Sequence, residues 1–336
     1  MSSDQIRGVL MGQLVGDALG ARYEFEKAAE VEKMIKNDMK HANGDILPML
    51  GIAHDGEMTL CLASGLLKYS GYNRGHMASA YVRWQQTDCL FIGRTTYYAL
   101  KIVEALPKEW MGIWTDEDKE RILEKVLQNV DLDKGRSQSN GFLMRIAPLP
   151  AFYHNQPFES WSYLVAEEVG LTHSHPATTD AALVYTKAIH QLINKTTPEE
   201  VYRNALSTAT NPIVKKHLEL AANQRAPFPY GDELSQTTRG DDIVMGYFGI
   251  ALQLAFHELL HAKTFVEGLV NVVLIGGDAD TNGCITAALL GARFGETAIP
   301  FEWRERVENA DLRIKNENGI TSIKEIVDKF GEIGKN

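Results

Sequence analysis

The sequence predicts an all-α protein in a single domain spanning residues 1–336. Apolar residues recur at helical spacing along the chain, as in Ile6, Val9, Leu10 and Leu14 and again in Leu60, Ala63, Leu66 and Leu67. Alternating apolar and polar runs are scarce. The best strand candidate, Val272 to Ile275, is short and continues a helical pattern begun at Phe265 and Leu269. No repeat, low-complexity tract or linker divides the chain.

In the first predicted helix, Gly8, Gly12, Gly16 and Gly20 recur every four residues and so share one face. Each lowers helix propensity by about 1 kcal/mol relative to alanine, so the stripe implies close approach of another helix. The segment continues Gly16-Asp17-Ala18-Leu19-Gly20-Ala21-Arg22-Tyr23-Glu24, leaving Glu24 just past a glycine where the helix should stop. A second helix starts acidic, with His54-Asp55-Gly56-Glu57 ahead of the amphipathic Met58 to Leu67. The polar stretch from Asn223 to Arg239 reads as a long surface loop.

Two more segments read as helix starts suited to an anion. Ser139-Asn140-Gly141 precedes Phe142, Leu143, Met144 and Ile146, and free backbone N–H groups there would cradle a diphosphate. Thr172-His173-Ser174-His175-Pro176 precedes Ala181, Leu183 and Val184, with proline placed for a first helical turn. The most informative segment is Gly276-Gly277-Asp278-Ala279-Asp280-Thr281-Asn282. Two glycines make a turn, and Asp278 and Asp280, read as two residues apart in a non-helical stretch, can point the same way. Thr281 adds a hydroxyl at the following helix start. Hard oxygen donors grouped in this way suit magnesium, manganese or calcium. A helix N-terminus repels a cation, so a metal there requires carboxylates from elsewhere in the chain.

With 44% hydrophobic residues, the chain has material for a large core, and its formal charge of −10 argues against general affinity for nucleic-acid backbone or an anionic membrane. Cys61, Cys89 and Cys284 fit neither a zinc ribbon nor a disulfide framework, which favours a reducing, cytoplasmic setting. No signal peptide or membrane span is expected. His257-Glu258-Leu259-Leu260-His261 fits the pattern of zinc peptidases, but Leu254, Leu259 and Phe265 place it in an ordinary amphipathic helix.

Taken together, Arg7 to Glu24, Tyr81 to Leu100, Ser139 to Leu149, Thr172 to Ala182, Met245 to Ala262 and Gly276 to Gly295 resemble, in this order, the ADP-ribosylglycohydrolase family. The most specific element is Gly-Gly-Asp-x-Asp-Thr-Asn followed by a Gly-Ala-x-x-Gly helix. The resemblance implies an orthogonal helical bundle with one or two Mg²⁺ or Mn²⁺ ions in a cleft. It also implies hydrolysis of the bond between ADP-ribose and an acceptor on a protein or small molecule. By motif, Asp278, Asp280 and Thr281 match metal ligands, and Asp55 a ligand from a second motif. Glu24 matches the family's mobile glutamate and, with Asp55, is the expected catalytic carboxylate, while Ser139, Asn140, Gly141 and His173 fall in segments similar to those that hold diphosphate and ribose.

The sequence departs from the family in that second motif. Where the family reads Thr-Asp-Asp-Thr-x-Met, this chain reads Ala53-His54-Asp55-Gly56-Glu57-Met58, so His54 replaces a bridging carboxylate. Imidazole binds magnesium poorly but accepts manganese, iron or zinc. A family Asp-Ile-Gly is Phe91-Ile92-Gly93, with Asp88 nearby. An active hydrolase, an ADP-ribose-binding protein without turnover and a structural, lens-type use are the readings these changes leave. The acceptor is not legible.

Overall fold

The computed structural model describes residues 2–41, 54–87, 92–225, 244–310, 312, 314 and 319–335. Among them the chain is helical. In order, the helices are α1 (Ser2–Gly20), α2 (Ala28–His41), α3 (His54–Tyr69), α4 (Arg74–Gln85), α5 (Arg94–Leu100), α6 (Trp110–Ile113) and α7 (Asp116–Leu132). They continue with α8 (Pro148–Phe152), α9 (Phe158–Trp161), α10 (Tyr163–Val169), α11 (Pro176–Ile193), α12 (Pro198–Thr208) and α13 (Pro212–Ala221). The last are α14 (Phe248–His261), α15 (Phe265–Val273), α16 (Ala279–Phe294), α17 (Phe301–Glu308) and α18 (Ile323–Ile333). Extended pairing among the described residues is limited to two isolated bridges, Lys27 with Gly276 and Ser139 with Tyr247. Val272 and Val273 end α15, in keeping with their helical pattern. Most of the predicted polar loop, from residue 226 onward, lies outside the described residues.

The centre of the fold is the antiparallel pair α1 and α16, each buried along most of its length. A Cβ added at Gly8, Gly12, Gly16 or Gly20 would fall less than 3.0 Å from the carbonyl oxygen of Gly291, Ala287, Gly283 or Ala279, respectively. Backbone therefore meets backbone at every turn of the stripe, and that contact compensates the low helix propensity of the four glycines. Around this pair α1 also touches α3, α8, α11, α15, α17 and α18. Arg7 near the start of α1 reaches Glu296 (2.6 Å) and Asp328, tying the first helix to the last.

Two of the segments read from sequence differ in detail. Ser139-Asn140-Gly141 opens a run of turns from Gly141 to Arg145, and the helix starts only at Pro148. The Gly141 carbonyl accepts from Arg145 Nη1 (2.8 Å), and Asn140 turns its amide toward Asp278, so neither caps a helix. Asp278 is the N-cap position of α16 without a capping bond, while Asp280 already lies in the first helical turn. In the peptidase-like motif, His257 Nδ1 donates to Ala221 O and His261 Nε2 to Ala222 O (both 2.8 Å), docking α14 on the C-terminus of α13. Buried Glu258 accepts from Asn271 and pairs with Arg225.

Candidate metal centre and substrate cleft

Five carboxylates converge where the C-terminal end of α1 meets the N-terminal end of α16. Ligand oxygens of Asp17, Asp55 and Asp280 lie within 4.8 Å of one another, as do those of Glu24, Asp278 and Asp280. Asp280 belongs to both groups. Thr281 lines the same cleft, and its backbone N–H donates to Asp280 Oδ1 (2.8 Å). Sequence reasoning gathered Glu24, Asp55, Asp278, Asp280 and Thr281 and missed Asp17. The signal available was a carboxylate inside the otherwise apolar Leu14–Leu19 stretch of a helix buried all round. His54 opens α3, but its side chain lies outside the described residues, as do Ala53, Asp88 and Phe91.

Short-range geometry explains how segments far apart in sequence deliver these oxygens to one place. Gln13 Nε2 on α1, Thr59 Oγ1 on α3 (3.1 Å) and Cys284 Sγ on α16 (3.3 Å) all donate to the Met144 carbonyl. Each donor is four residues, one helical turn, from a carboxylate of the first group: Asp17, Asp55 and Asp280. One carbonyl thus registers three helices. Glu24 follows a 3₁₀ turn, Ala21–Tyr23. Phe25, with φ of +66°, donates its N–H to Gly277 O (2.7 Å), and Gly277 N–H returns a bond to Glu26 O (2.8 Å). Gly276 and Gly277 both have positive φ, and a Cβ at Gly276 would strike Glu26 O. The glycines are therefore what lets the 24–27 segment close over Asp278.

Like charges crowded in a dry site raise carboxyl pKa values. Burial, then the charge on Asp278, pushes Glu24 up to about 7. Burial, followed by the charges of Asp17 and Asp278, holds Asp55 well above the usual carboxylate range. Asp280 is raised by burial and by Asp55, Asp278, Glu24 and Asp17. Burial also raises Asp278, although Asn140 Nδ2 donates to its Oδ2 at 2.6 Å. Asp55 Oδ2 is buried without a hydrogen-bond partner. An all-oxygen donor set with an orphaned buried carboxylate oxygen fits a hard divalent cation such as Mg²⁺ or Mn²⁺. Glu57, on the same helix as Asp55, lies outside these groups and accepts the Trp84 indole N–H (2.9 Å).

Glu24, Asp55, Asp278 and Asp280 line a cleft of 1320 Å³, whose walls also include Arg94, Thr95, Tyr98, Arg136, Ser139 and Asn140. That exceeds the ~300–1,000 Å³ of an ordinary small-molecule pocket. Asn140 is set by its own N–H donating to Gly246 O (2.9 Å) and by the Ser139–Tyr247 bridge. Gly141 and Thr172 also line the cleft. His173, expected at the ligand, is buried behind the wall and reaches it through Ser139 Oγ at 2.8 Å.

The family model for ADP-ribosylglycohydrolase matches residues 2–333. The chain belongs to that family. Among the relatives it resembles is a putative ADP-ribosyl glycohydrolase of Acanthamoeba polyphaga mimivirus, 25% identical, with 93% of each chain covered. The ADP-ribosyl-dinitrogen reductase glycohydrolase of Rhodospirillum rubrum is 24% identical over 94% of this chain and 92% of that one. An ADP-ribosylarginine hydrolase of Pseudomonas putida is 23% identical over 90% of this chain and 74% of its own. A solved structure titled ADP-ribosylglycohydrolase-related protein complex shares the fold, with a TM-score of 0.66 and 22% identity, covering 99% of this chain and 98% of that one. The all-helical architecture is thus that of the ADP-ribosylglycohydrolases.

Proposed function

We propose that this member of the family is a metal-dependent hydrolase that cleaves the glycosidic bond between ADP-ribose and an acceptor on a protein or small molecule. The observation that carries the reading is the pair of three-carboxylate groups sharing Asp280. Asp17 supplies a further buried carboxylate to a centre whose second motif carries His54 and Gly56. Asp17, Asp55 and Asp280 would hold one cation, and Glu24, Asp278 and Asp280 a second, with Thr281 beside them. A bound divalent cation supplies a water of lowered pKa and a fixed partner for ribose hydroxyls.

The remaining chemistry falls to the chain's own side chains. Breaking the bond at the ribose carbon develops positive charge there, and the surrounding carboxylates stabilise it. Glu24, near half-protonated at neutral pH in the metal-free centre, is suited to hold or release a proton beside the leaving acceptor. Asn140 orients Asp278, and the cleft wall from Ser139 to Gly141 faces the space where the diphosphate would lie.

Metal analysis of the purified protein, followed by turnover on ADP-ribosylated arginine and serine peptides with Mg²⁺ or Mn²⁺, tests the reading. Release of ADP-ribose that requires metal and disappears in Asp280→Ala supports it. Tight ADP-ribose binding with no release from any acceptor replaces it with the binding-protein reading that the altered second motif suggests.

A further inference from the structure

Beside the cleft, a buried run of polar groups, of which Thr172 also borders the space, ends on Ser139. Its deep anchor is the fully buried ion pair Arg145–Glu168 (Nε to Oε1, 2.7 Å). The carboxylate also accepts from Tyr81 (2.7 Å) and Tyr72 (2.9 Å) hydroxyls. Arg145 Nη2 then contacts Thr172 Oγ1 at 3.0 Å, Thr172 Oγ1 lies 2.8 Å from His173 Nδ1, and His173 Nε2 lies 2.8 Å from Ser139 Oγ. On the cleft side, Thr95 Oγ1 and Ser137 Oγ are 2.6 Å apart, and Ser137 donates to Ser139 Oγ at 3.4 Å.

The direction of these bonds follows from the donor inventory. A guanidinium has donors only, so Thr172 Oγ1 accepts from Arg145. Among the described residues the Thr172 hydroxyl has one acceptor for its own proton, His173 Nδ1. Burial and the Arg145 charge push His173 down to about 3, so the ring stays neutral, and with Nδ1 accepting, its one proton is on Nε2. Nε2–H therefore donates to Ser139 Oγ. With Thr95 donating to Ser137 and Ser137 donating to the same Ser139 oxygen, the Ser139 proton has no described acceptor except what enters the cleft.

We propose that Thr172 is a positioning residue: by holding His173 as the Nε2–H tautomer, it turns the Ser139 hydroxyl proton into the cleft as a donor to a phosphate oxygen of the ligand. The ligand half of this inference rests on the ADP-ribosyl reading of the cleft; the tautomer half does not. The arrangement also separates this Ser–His pair from a nucleophilic one. A catalytic dyad needs the imidazole to accept the serine proton, whereas this imidazole donates to the serine. The chain of aligned donors polarises in one direction, toward the cleft.

Nitrogen-15 NMR of the histidine rings in the ligand-free protein reads the tautomer directly, and calorimetry with ADP-ribose reads the consequence. The expected wild-type signal for His173 is a protonated Nε2 and a bare Nδ1. Thr172→Val exchanges the hydroxyl for a methyl of similar volume while Arg145 keeps Glu168 and the Gly141 carbonyl. It should weaken ADP-ribose binding about five- to tenfold, the scale of one lost hydrogen bond. Thr172→Ser should restore both tautomer and affinity. In turnover the loss should fall on KM rather than kcat. Ser139→Ala should give the same loss, with the double variant no worse than either single one, because both act through one bond. If Thr172→Val does not fold, the wild-type tautomer and Ser139→Ala still decide. A protonated Nδ1 in the wild type overturns the inference, as does unchanged affinity in folded Thr172→Val or in Ser139→Ala. Absence of ADP-ribose binding by the wild type overturns the ligand half together with the functional reading, while the tautomer is judged on its own spectrum.

Discussion

Replacing Glu24 by glutamine should stabilise the metal-free protein above neutral pH and leave it unchanged near pH 4. The folded carboxyl titrates at about 7, against an ordinary 4.5. Between those values the folded state keeps a proton that the unfolded chain has released, so stability falls as pH rises through that window and levels off above it. At 1.36 kcal/mol per pH unit the gap comes to about 3 kcal/mol. Glu24 is only half-buried, and solvent screening reduces this to about 1–2 kcal/mol. In a domain of this size that corresponds to a Tm rise of roughly 1–3 °C for the variant at pH 8. The assay is thermal unfolding in chelator from pH 4 to pH 8, wild type against Glu24→Gln. Saturating Mn²⁺ should reverse the order, because the charged form then gains a partner that the amide replaces poorly. Parallel pH curves for the two proteins in chelator would refute the claim that crowding strains the carboxylates.

Asp280→Asn removes the carboxylate charge shared by both groups, so the metal-dependent Tm shift should vanish and turnover should fall by at least ~10²-fold. Metal titration followed by thermal unfolding checks the first part, and ADP-ribose release the second. Gly16→Ala should destabilise by roughly 3 kcal/mol despite better helix propensity, since the methyl meets a carbonyl that cannot withdraw; urea unfolding reads it. Arg145→Met leaves Glu168 charged and buried and should lower stability by about 3–5 kcal/mol, a loss that Glu168→Gln in the same chain should partly recover. His257→Ala should leave metal content unchanged and lower stability by about 1 kcal/mol, the value of one bond to the α13 terminus.

The helical class and the glycine stripe were legible in the sequence because each is a local periodicity. So were four of the five clustered carboxylates, since each stands at a helix boundary where a charged residue is conspicuous. Asp17 was hidden because it lies within an apolar helix, and only the partner helix reveals that it faces the centre rather than solvent. Asp280 was placed in an extended stretch because two glycines precede it; the helix in fact begins one residue earlier, at Ala279. Ser139–Gly141 has the composition of a helix start, yet Asn140 turns its amide to Asp278 far along the chain, and the Gly141 carbonyl accepts from the Arg145 side chain within the same run of turns. The Glu168–Arg145–Thr172–His173 chain depends on α10 packing beside the 141–145 turns, a contact that no sequence period encodes.

The two helices that meet backbone to backbone also impose an order on assembly. Gly16 and Gly283 belong to opposite ends of the polypeptide, so α1 has no matching surface until residues near 290 have been synthesised. A nascent chain therefore carries the glycine face of α1 unpaired until α16 has been made. Contacts of such long sequence separation close late and slowly. The acidic centre, divided between the same two ends, cannot capture an ion before that closure, which makes metal uptake a natural report of the last event in folding.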